Sequence, residues 1–194
     1  MKSTVVPASD AQASTGAELL RSAWTDRMDS FDETKFRNVL SHYPTGVTLV
    51  TGMHQGDPVG LIIGSFTSVS LNPPLVGFLV GKRSSTWPRI AASGSFCVNI
   101  LGYHQEEVCR LFARGSPDRF AAIGWTAERN GMPVLDDVIA WIDCDIDRVD
   151  EAGDHWWVIG RVVQLEAVGE GSPLVFVRGG FGHPSIRPQR GGSP

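Results

Sequence analysis

GLIIGSFTSVSLNPPL, residues 60–75, changes character half-way along. Leu61, Ile62 and Ile63 form the apolar run of a buried strand. Ser65, Thr67, Ser68 and Ser70 then crowd hydroxyls together, and Asn72-Pro73-Pro74 stops the strand, since proline has no N–H for a ladder. Strand alternation puts Ser68 and Ser70 on the face of Phe66, with Ser65, Thr67 and Val69 on the other. Hydroxyls on both faces do not suit a core strand, because each buried hydroxyl needs a partner. The stretch is therefore either a solvated strand end ahead of a Pro-Pro turn or the lining of a site for a polar ligand.

The flanking sequence is rich in strands. Residues 45–53 (TGVTLVTGM) are largely β-branched and predict a strand that pairs with residues 60–71 as an antiparallel hairpin around the turn at 54–58. LVGFLV at 75–80 and FCVNIL at 96–101 predict buried strands. Residues 138–149 alternate Ile142, Cys144 and Ile146 against Asp143, Asp145 and Asp147, a half-exposed antiparallel strand. Residues 156–168 predict a second long strand across the turn at 150–154, and 173–177 a short final one. Helices are fewer. One runs from about Asp32, a good N-cap, to His42, with Phe36, Val39, Leu40 and Tyr43 as its stripe and Pro44 as its stop. Another starts at Ser84-Ser85-Thr86-Trp87-Pro88, and a third, amphipathic, covers 104–113. The fold class is mainly β with a few helices, and the long alternating strands suggest a barrel, because closure removes sheet edges.

At 194 residues the chain predicts one domain, spanning 31–182, between a flexible N-terminal segment (1–30) and a flexible C-terminal tail (183–194). Within the former, Leu20, Trp24 and Met28 recur every four residues, the stripe of a short helix. A net charge of −4 gives no electrostatic case for nucleic acid or an anionic membrane, and no apolar run approaches the ~20 residues of a membrane span. The N-terminus lacks the apolar region of a secretory signal. Three cysteines, an odd number without CxxC spacing, fit reduced thiols in a cytoplasmic protein. Nucleotide and hydrolase signatures (GxGxxG, HExxH, GxSxG) are missing, and Gly77–Lys82 is one residue short of a P-loop. The five histidines are scattered, which gives no metal-ligand spacing.

Several spaced segments together resemble one family. They are FRNVLSHYPTGVTLVTG (36–52), SFTSVSLNPPLVGF (65–78), FCVNIL with GYHQEEVCRLFA (96–113), DRF (118–120), GDHWWVIGRV (153–162) and PLVFVRGGF (173–181). In this order they resemble the flavin reductase family, and more closely the small reductase components of two-component, flavin-diffusible monooxygenases. The resemblance implies an FMN-binding split β-barrel of antiparallel Greek-key type and a homodimer. It also implies reduction of free FAD or FMN by NADH or NADPH, the reduced flavin passing to a partner monooxygenase. The absence of a basic cluster beyond Lys82-Arg83 favours NADH.

The same resemblance places Thr45, Gly46 and Val47, with Ser65, Phe66, Thr67, Ser68, Val69 and Ser70, at the isoalloxazine and ribityl chain. It places a phosphate contact in the loop holding Lys82, Ser84, Ser85 and Thr86, with Arg119 a second phosphate or nucleotide contact. His155, in Gly153-Asp154-His155, becomes the candidate reactive-site side chain beside the nicotinamide, with Phe181 covering that side. Each has a plain alternative: a Ser/Thr helix cap, a surface arginine, an exposed turn histidine, a C-terminal loop. A second function stays open on the same fold, an electron carrier or sensor with tightly bound FMN and little NAD(P)H turnover.

Overall fold

The computed structural model describes residues 32–115, 118–127 and 131–185. The predicted helix at 17–28, the N-terminal segment up to residue 31 and the tail from 186 lie outside these. The chain divides into a unit ending at Leu40 and a unit beginning at Ser41. The first contributes α1 (Glu33–Leu40), whose start is set by Asp32: its Oδ1 accepts the N–H groups of Thr34 and Lys35 at 2.8 and 3.1 Å. Its apolar side chains Phe36, Val39 and Leu40 are exposed.

The second unit opens with β1 (Thr45–Gly46), β2 (Thr48–His54), β3 (Asp57–Ile63), β4 (Thr67–Leu71) and β5 (Pro74–Gly81). α2 (Trp87–Ala91), β6 (Ser95–Ile100) and α3 (Glu106–Ala113) follow. β7 (Trp125–Ala127), β8 (Pro133–Leu135), β9 (Ala140–Ala152), β10 (His155–Ala167), β11 (Val175–Val177) and β12 (Gly180–Gly182) complete it. A seven-stranded antiparallel sheet, in the order β3-β2-β6-β9-β10-β5-β4, carries the fold. β1, β11 and β12 form a small second sheet, and β7 pairs with β8.

The large sheet curls, because residues from its distant strands share one interior. Val59 and Ile63 of β3 pack in the same cluster as Val76, Phe78 and Val80 of β5 and Phe96 and Val98 of β6. Phe78 is the hub, edge-to-face with Trp87 at 5.7 Å and with Phe96 at 5.3 Å. The opposite face of β2 and β6, through Leu49 and Cys97, joins a second cluster with Cys109 and Phe112 of α3, Val134 and Leu135 of β8, and Trp141. The central strands are thus covered on both sides, which is why they read as near-continuous apolar runs.

Four expectations change. Residues 60–71 belong to two strands rather than one. β3 ends at Ile63, and the chain turns at Gly64, where a Cβ would lie 3.1 Å from Thr45 Oγ1. A bulge between Ser68 and Ser70 then breaks the simple alternation. Residues 45–53 also split, because Val47 leaves the ladder to donate to Leu174 O (3.1 Å) while its carbonyl accepts from Leu101 N–H (3.2 Å). The predicted closure does not occur: among the described residues β3 and β4 remain unpaired edges, so the barrel is split, its two sides joined by side chains rather than by a ladder. Finally, Asp143 is buried rather than solvent-facing, because at its level β9 lies between β6 and β10 with both faces of the sheet covered.

β8 was not foreseen, and a polar side chain holds it in place. Asn99 donates to Leu49 O, Thr51 Oγ1 and Pro133 O at 3.1–3.3 Å, and its Oδ1 accepts the Leu135 N–H at 2.8 Å. Thr51 adds a 2.5 Å bond to Pro133 O. All of these groups are buried, so each bond replaces one otherwise made to water.

Gly160 in β10 makes room for Phe96. A Cβ there would lie 2.3 Å from Phe96 Cζ and 3.0 Å from Cys144 Cβ, all in a packed interior. Gly160→Ala is expected to destabilise the chain by about 1–3 kcal/mol in urea unfolding, and Phe96→Leu on that background to recover part of the loss.

Candidate active site

The hydroxyl-rich turn faces β1. Thr45 and Gly46, with Tyr43 and Pro44 before them, stand across a groove of about 480 Å³ from Gly64, Ser65, Phe66 and Thr67. That volume lies in the range of small-molecule sites, roughly 300–1,000 Å³. A Cβ added at Gly46 would meet nothing within 4 Å, so its bare backbone leaves open space for a planar ring. Phe66 gives the groove an apolar wall and packs behind it on the inner core. These are the surfaces a flavin ring requires: exposed backbone, short hydroxyls and an apolar face.

Ser65 has a structural task as well. Its Oγ accepts the Leu79 N–H at 2.9 Å and donates to Leu79 O at 3.0 Å, continuing the β4–β5 ladder where the backbone has turned away. Thr67 donates to Ser68 O at 3.3 Å. Ser68 and Val69 are exposed on the edge strand β4, and Ser70 is half-buried there, beyond the groove wall. Val47 is buried in the outer core, so it shapes the groove through its backbone alone.

Leu79 leads along β5 to Gly81, which pairs with His155 at the start of β10. Two strand spacings and two residues of rise put the Ser65 and His155 backbones roughly 12 Å apart. The β9–β10 hairpin turns at Gly153, whose φ of 63° favours glycine. Lys82 N–H donates to Asp154 O at 2.9 Å, which fastens the 82–86 loop to this tip. His155 Nδ1–H donates to Asp154 Oδ1 at 2.7 Å. That hydrogen bond, aided by the charge of His155 when protonated and by Arg83, holds the Asp154 carboxyl below its ordinary value. With Nδ1 occupied, Nε2 is the ring atom left to meet a ligand.

In the 82–86 loop the polar side chains have separate roles. Lys82 Nζ sits 3.4 Å from Glu151 and 4.9 Å from the centre of the Trp156 ring, so its charge is partly spent within the protein. Ser84 Oγ accepts the Trp87 N–H at 3.1 Å and caps α2, while Ser85 is exposed. Thr86 makes no side-chain cap bond. Its side chain lines a different groove, shared with Arg119. Arg119 donates to Phe112 O at 3.3 Å with its guanidinium 5.1 Å from that ring. The structure thus brings Thr45 and Gly46 to Ser65–Thr67, and Lys82 to Asp154 and His155, but sets Thr86 and Arg119 apart. Phe181 packs on Phe176 and beneath Arg110, on the outer core; its neighbour Gly182, not Phe181 itself, lines the apolar groove beside Thr45 and Gly46.

Tyr43, Pro44 and Gly64 were missed as groove residues. Tyr43 fits the α1 stripe by spacing, yet the helix ends at Leu40 and leaves it 73% exposed at the groove mouth. Pro44 directly after it was the available signal. All three cysteines are buried; burial pushes the Cys109 thiol up to about 12, with Glu106 adding to it, and burial raises Cys144 as well.

Residues 40–185 match the flavin reductase like domain. The chain is 48% identical to a flavin reductase of Pseudomonas putida over 86% of this chain and 94% of that one. It is 43% identical to the reductase subunit HsaB of a flavin-dependent monooxygenase from Rhodococcus jostii, over 79% of this chain and 78% of the other. Among solved structures it superposes on nitrilotriacetate monooxygenase component B from Mycobacterium thermoresistibile with a TM-score of 0.78 at 42% identity, covering 84% and 91% of the two chains. The NADH:FAD oxidoreductase SgcE6 of Streptomyces globisporus superposes with a TM-score of 0.75 at 34% identity, covering 82% and 92%. The chain belongs to the flavin reductase family.

Ser65→Ala removes both bonds to Leu79. The expected result is a loss of about 1 kcal/mol in stability and faster hydrogen exchange at the Leu79 amide, with the β9–β10 amides unchanged.

Proposed function

We propose that this protein uses NADH, or less well NADPH, to reduce free FAD or FMN, and that the reduced flavin diffuses to a partner flavin-dependent monooxygenase. The observation that carries the reading is the open groove between Thr45-Gly46 and Gly64–Thr67, with the Asp154–His155 pair at the adjoining strand end. Bound there, the flavin accepts hydride at N5 from the nicotinamide. The chain supplies position. Gly46 and the turn at Ser65 offer backbone to the ring edge, and Phe66 provides a face. Ser68, Val69 and Ser70, beyond the groove wall on β4, serve the ribityl chain. Ser84, Ser85 and Arg83 serve the first phosphate, with Lys82 contributing only the part of its charge that Glu151 leaves. His155, oriented by Asp154, donates or accepts at Nε2 against the nicotinamide carboxamide. Proximity and orientation are the catalytic terms, since the cofactors carry the bond changes.

An exposed, shallow groove suits release. Few buried charges grip the ligand, so reduced flavin leaves at a useful rate. The working form is a homodimer in the cytoplasm. Val69 and Leu71 on the unpaired β4 edge, and Val163 and Leu165 on β10, are exposed apolar side chains that a second copy would cover.

The test is loss of NADH absorbance with and without added flavin. Strong turnover that requires and saturates with free flavin is expected. A protein that stays yellow through purification and turns over neither nucleotide would sink the reading in favour of a bound-flavin carrier. His155→Ala should raise KM for NADH on the order of tenfold, the loss of one hydrogen bond to a polar ligand, with a smaller fall in kcat. Unchanged constants would remove His155 from the site.

A further inference from the structure

Lys82 is held from two sides. Its Nζ lies 3.4 Å from Glu151 Oε1 and 4.9 Å from the centre of the Trp156 ring. Glu151 of β9 and Trp156 of β10 are directly opposed in the ladder, so the carboxylate and the indole stand on one face of the hairpin. One residue nearer the turn, His155 pairs with Gly81, and Lys82 leaves β5 beside that face. The other carboxylates of the hairpin end are engaged elsewhere. Asp147 accepts from Arg161 at 2.6 Å, Asp150 lies 3.0 Å from Arg148, and Asp154 accepts from His155 at 2.7 Å. Glu151 is therefore the carboxylate set against Lys82.

The fold already uses several donors of the 82–86 loop. Lys82 N–H donates to Asp154 O and Ser84 N–H to Gly81 O, both at 2.9 Å. Ser84 Oγ accepts the Trp87 N–H at 3.1 Å. Positive charge for an incoming anion comes from Lys82 and its neighbour Arg83. A lysine ammonium is a compact point charge on a flexible four-carbon stem, so one anion can take it from another. A phosphate that reaches the loop meets a Lys82 that Glu151 already occupies. The Glu151 side chain is 70% exposed and that of Lys82 32%, so the exchange needs no movement of the core. An exposed pair of this kind competes by about two- to fivefold in a binding constant.

We infer that Glu151 limits how tightly the protein holds the flavin phosphate, by competing for Lys82. The inference rests on the proposed binding of flavin with its phosphate at the 82–86 loop. Glu151 acts through Lys82 and sets affinity, leaving the hydride step alone. A reductase that hands its product to another protein needs such a restraint, because each gain in affinity for the flavin slows its departure. The effect is confined to ligands that carry a phosphate. FMN and riboflavin share the ring and the ribityl chain and differ in that group alone.

Equilibrium dialysis of the full chain against FMN and against riboflavin, read by flavin absorbance, tests this without turnover. Glu151→Gln keeps the size of the side chain and removes its charge. It is expected to tighten FMN binding about two- to fivefold and to leave riboflavin binding unchanged. On a Lys82→Met background the same substitution is expected to leave FMN binding unchanged too. Circular dichroism and the urea midpoint verify that each variant is folded. In turnover, Glu151→Gln lowers KM for FMN and leaves KM for NADH as it was. Equal FMN affinity in wild type and Glu151→Gln, an equal gain for riboflavin, or a gain that persists without Lys82 overturns the inference and leaves the flavin reading standing. Failure of wild type to bind either flavin overturns that reading and the inference with it. Glu151-limited FMN binding by a chain that oxidises no NADH upholds the inference and overturns the reductase reading instead.

Discussion

The curled sheet depends on one close packing: the Phe96 ring against the bare Cα of Gly160, with Phe78 edge-on beside it. β6 and β10 flank β9, and only a residue without a Cβ lets the ring of one cross to meet the other. Pulling these strands together on the inner face bends the sheet until β3 and β5 share a core. The bend leaves the two edge strands apart, and no ladder forms between β3 and β4. The edge opening follows from a sheet that is drawn together by side chains instead of closing through backbone bonds.

The candidate active site occupies the place where that geometry forces the chain to turn. Between β3 and β4 the backbone leaves the ladder at Gly64, and Ser65 makes up the missing bonds to Leu79 with its side chain. One hydroxyl therefore does what a peptide group would otherwise do, and frees the neighbouring backbone to face the groove. The hydroxyls of this segment and of the 82–86 loop have a mixed origin. Ser65 serves the fold, Ser84 caps a helix, and Thr67, Ser68 and Ser85 are solvent-facing. Charge is treated the same way: Lys82 is tied to Glu151 and Trp156, and Arg119 to Phe112, while Arg83 in the 82–86 loop and Arg89 on α2 stay exposed.

The outer face has its own lock in Asn99. A buried amide with four polar neighbours fixes β8 against β2 and β6, and so shapes the wall from which β7 and the second groove extend. Desolvating such a group is costly unless every bond is made, so it specifies one arrangement of the strands around it. Thr51, wholly buried beside it, works to the same end.

By itself the sequence determined the elements with strong local signals. The Asp32 cap, the β2–β3 hairpin and the paired 13-residue strands β9 and β10 follow from capping chemistry and side-chain period. Gly153-Asp154-His155 was legible as the turn between the two long strands, because glycine supplies its positive φ. Only the tertiary structure decided the rest, because it turns on contacts between residues far apart in the chain. Asp143 is inside because of strands on either side of it, Lys82 is paired because a hairpin seventy residues on comes back to it, and β8 exists because Asn99 reaches it. Thr86 and Arg119, expected as phosphate or nucleotide contacts, line one groove with Arg89 and Asp57, since α2 and the turn at Arg119 converge on the start of β3. No local pattern encodes that convergence; it is set by how the packed core orients the elements that end at its surface.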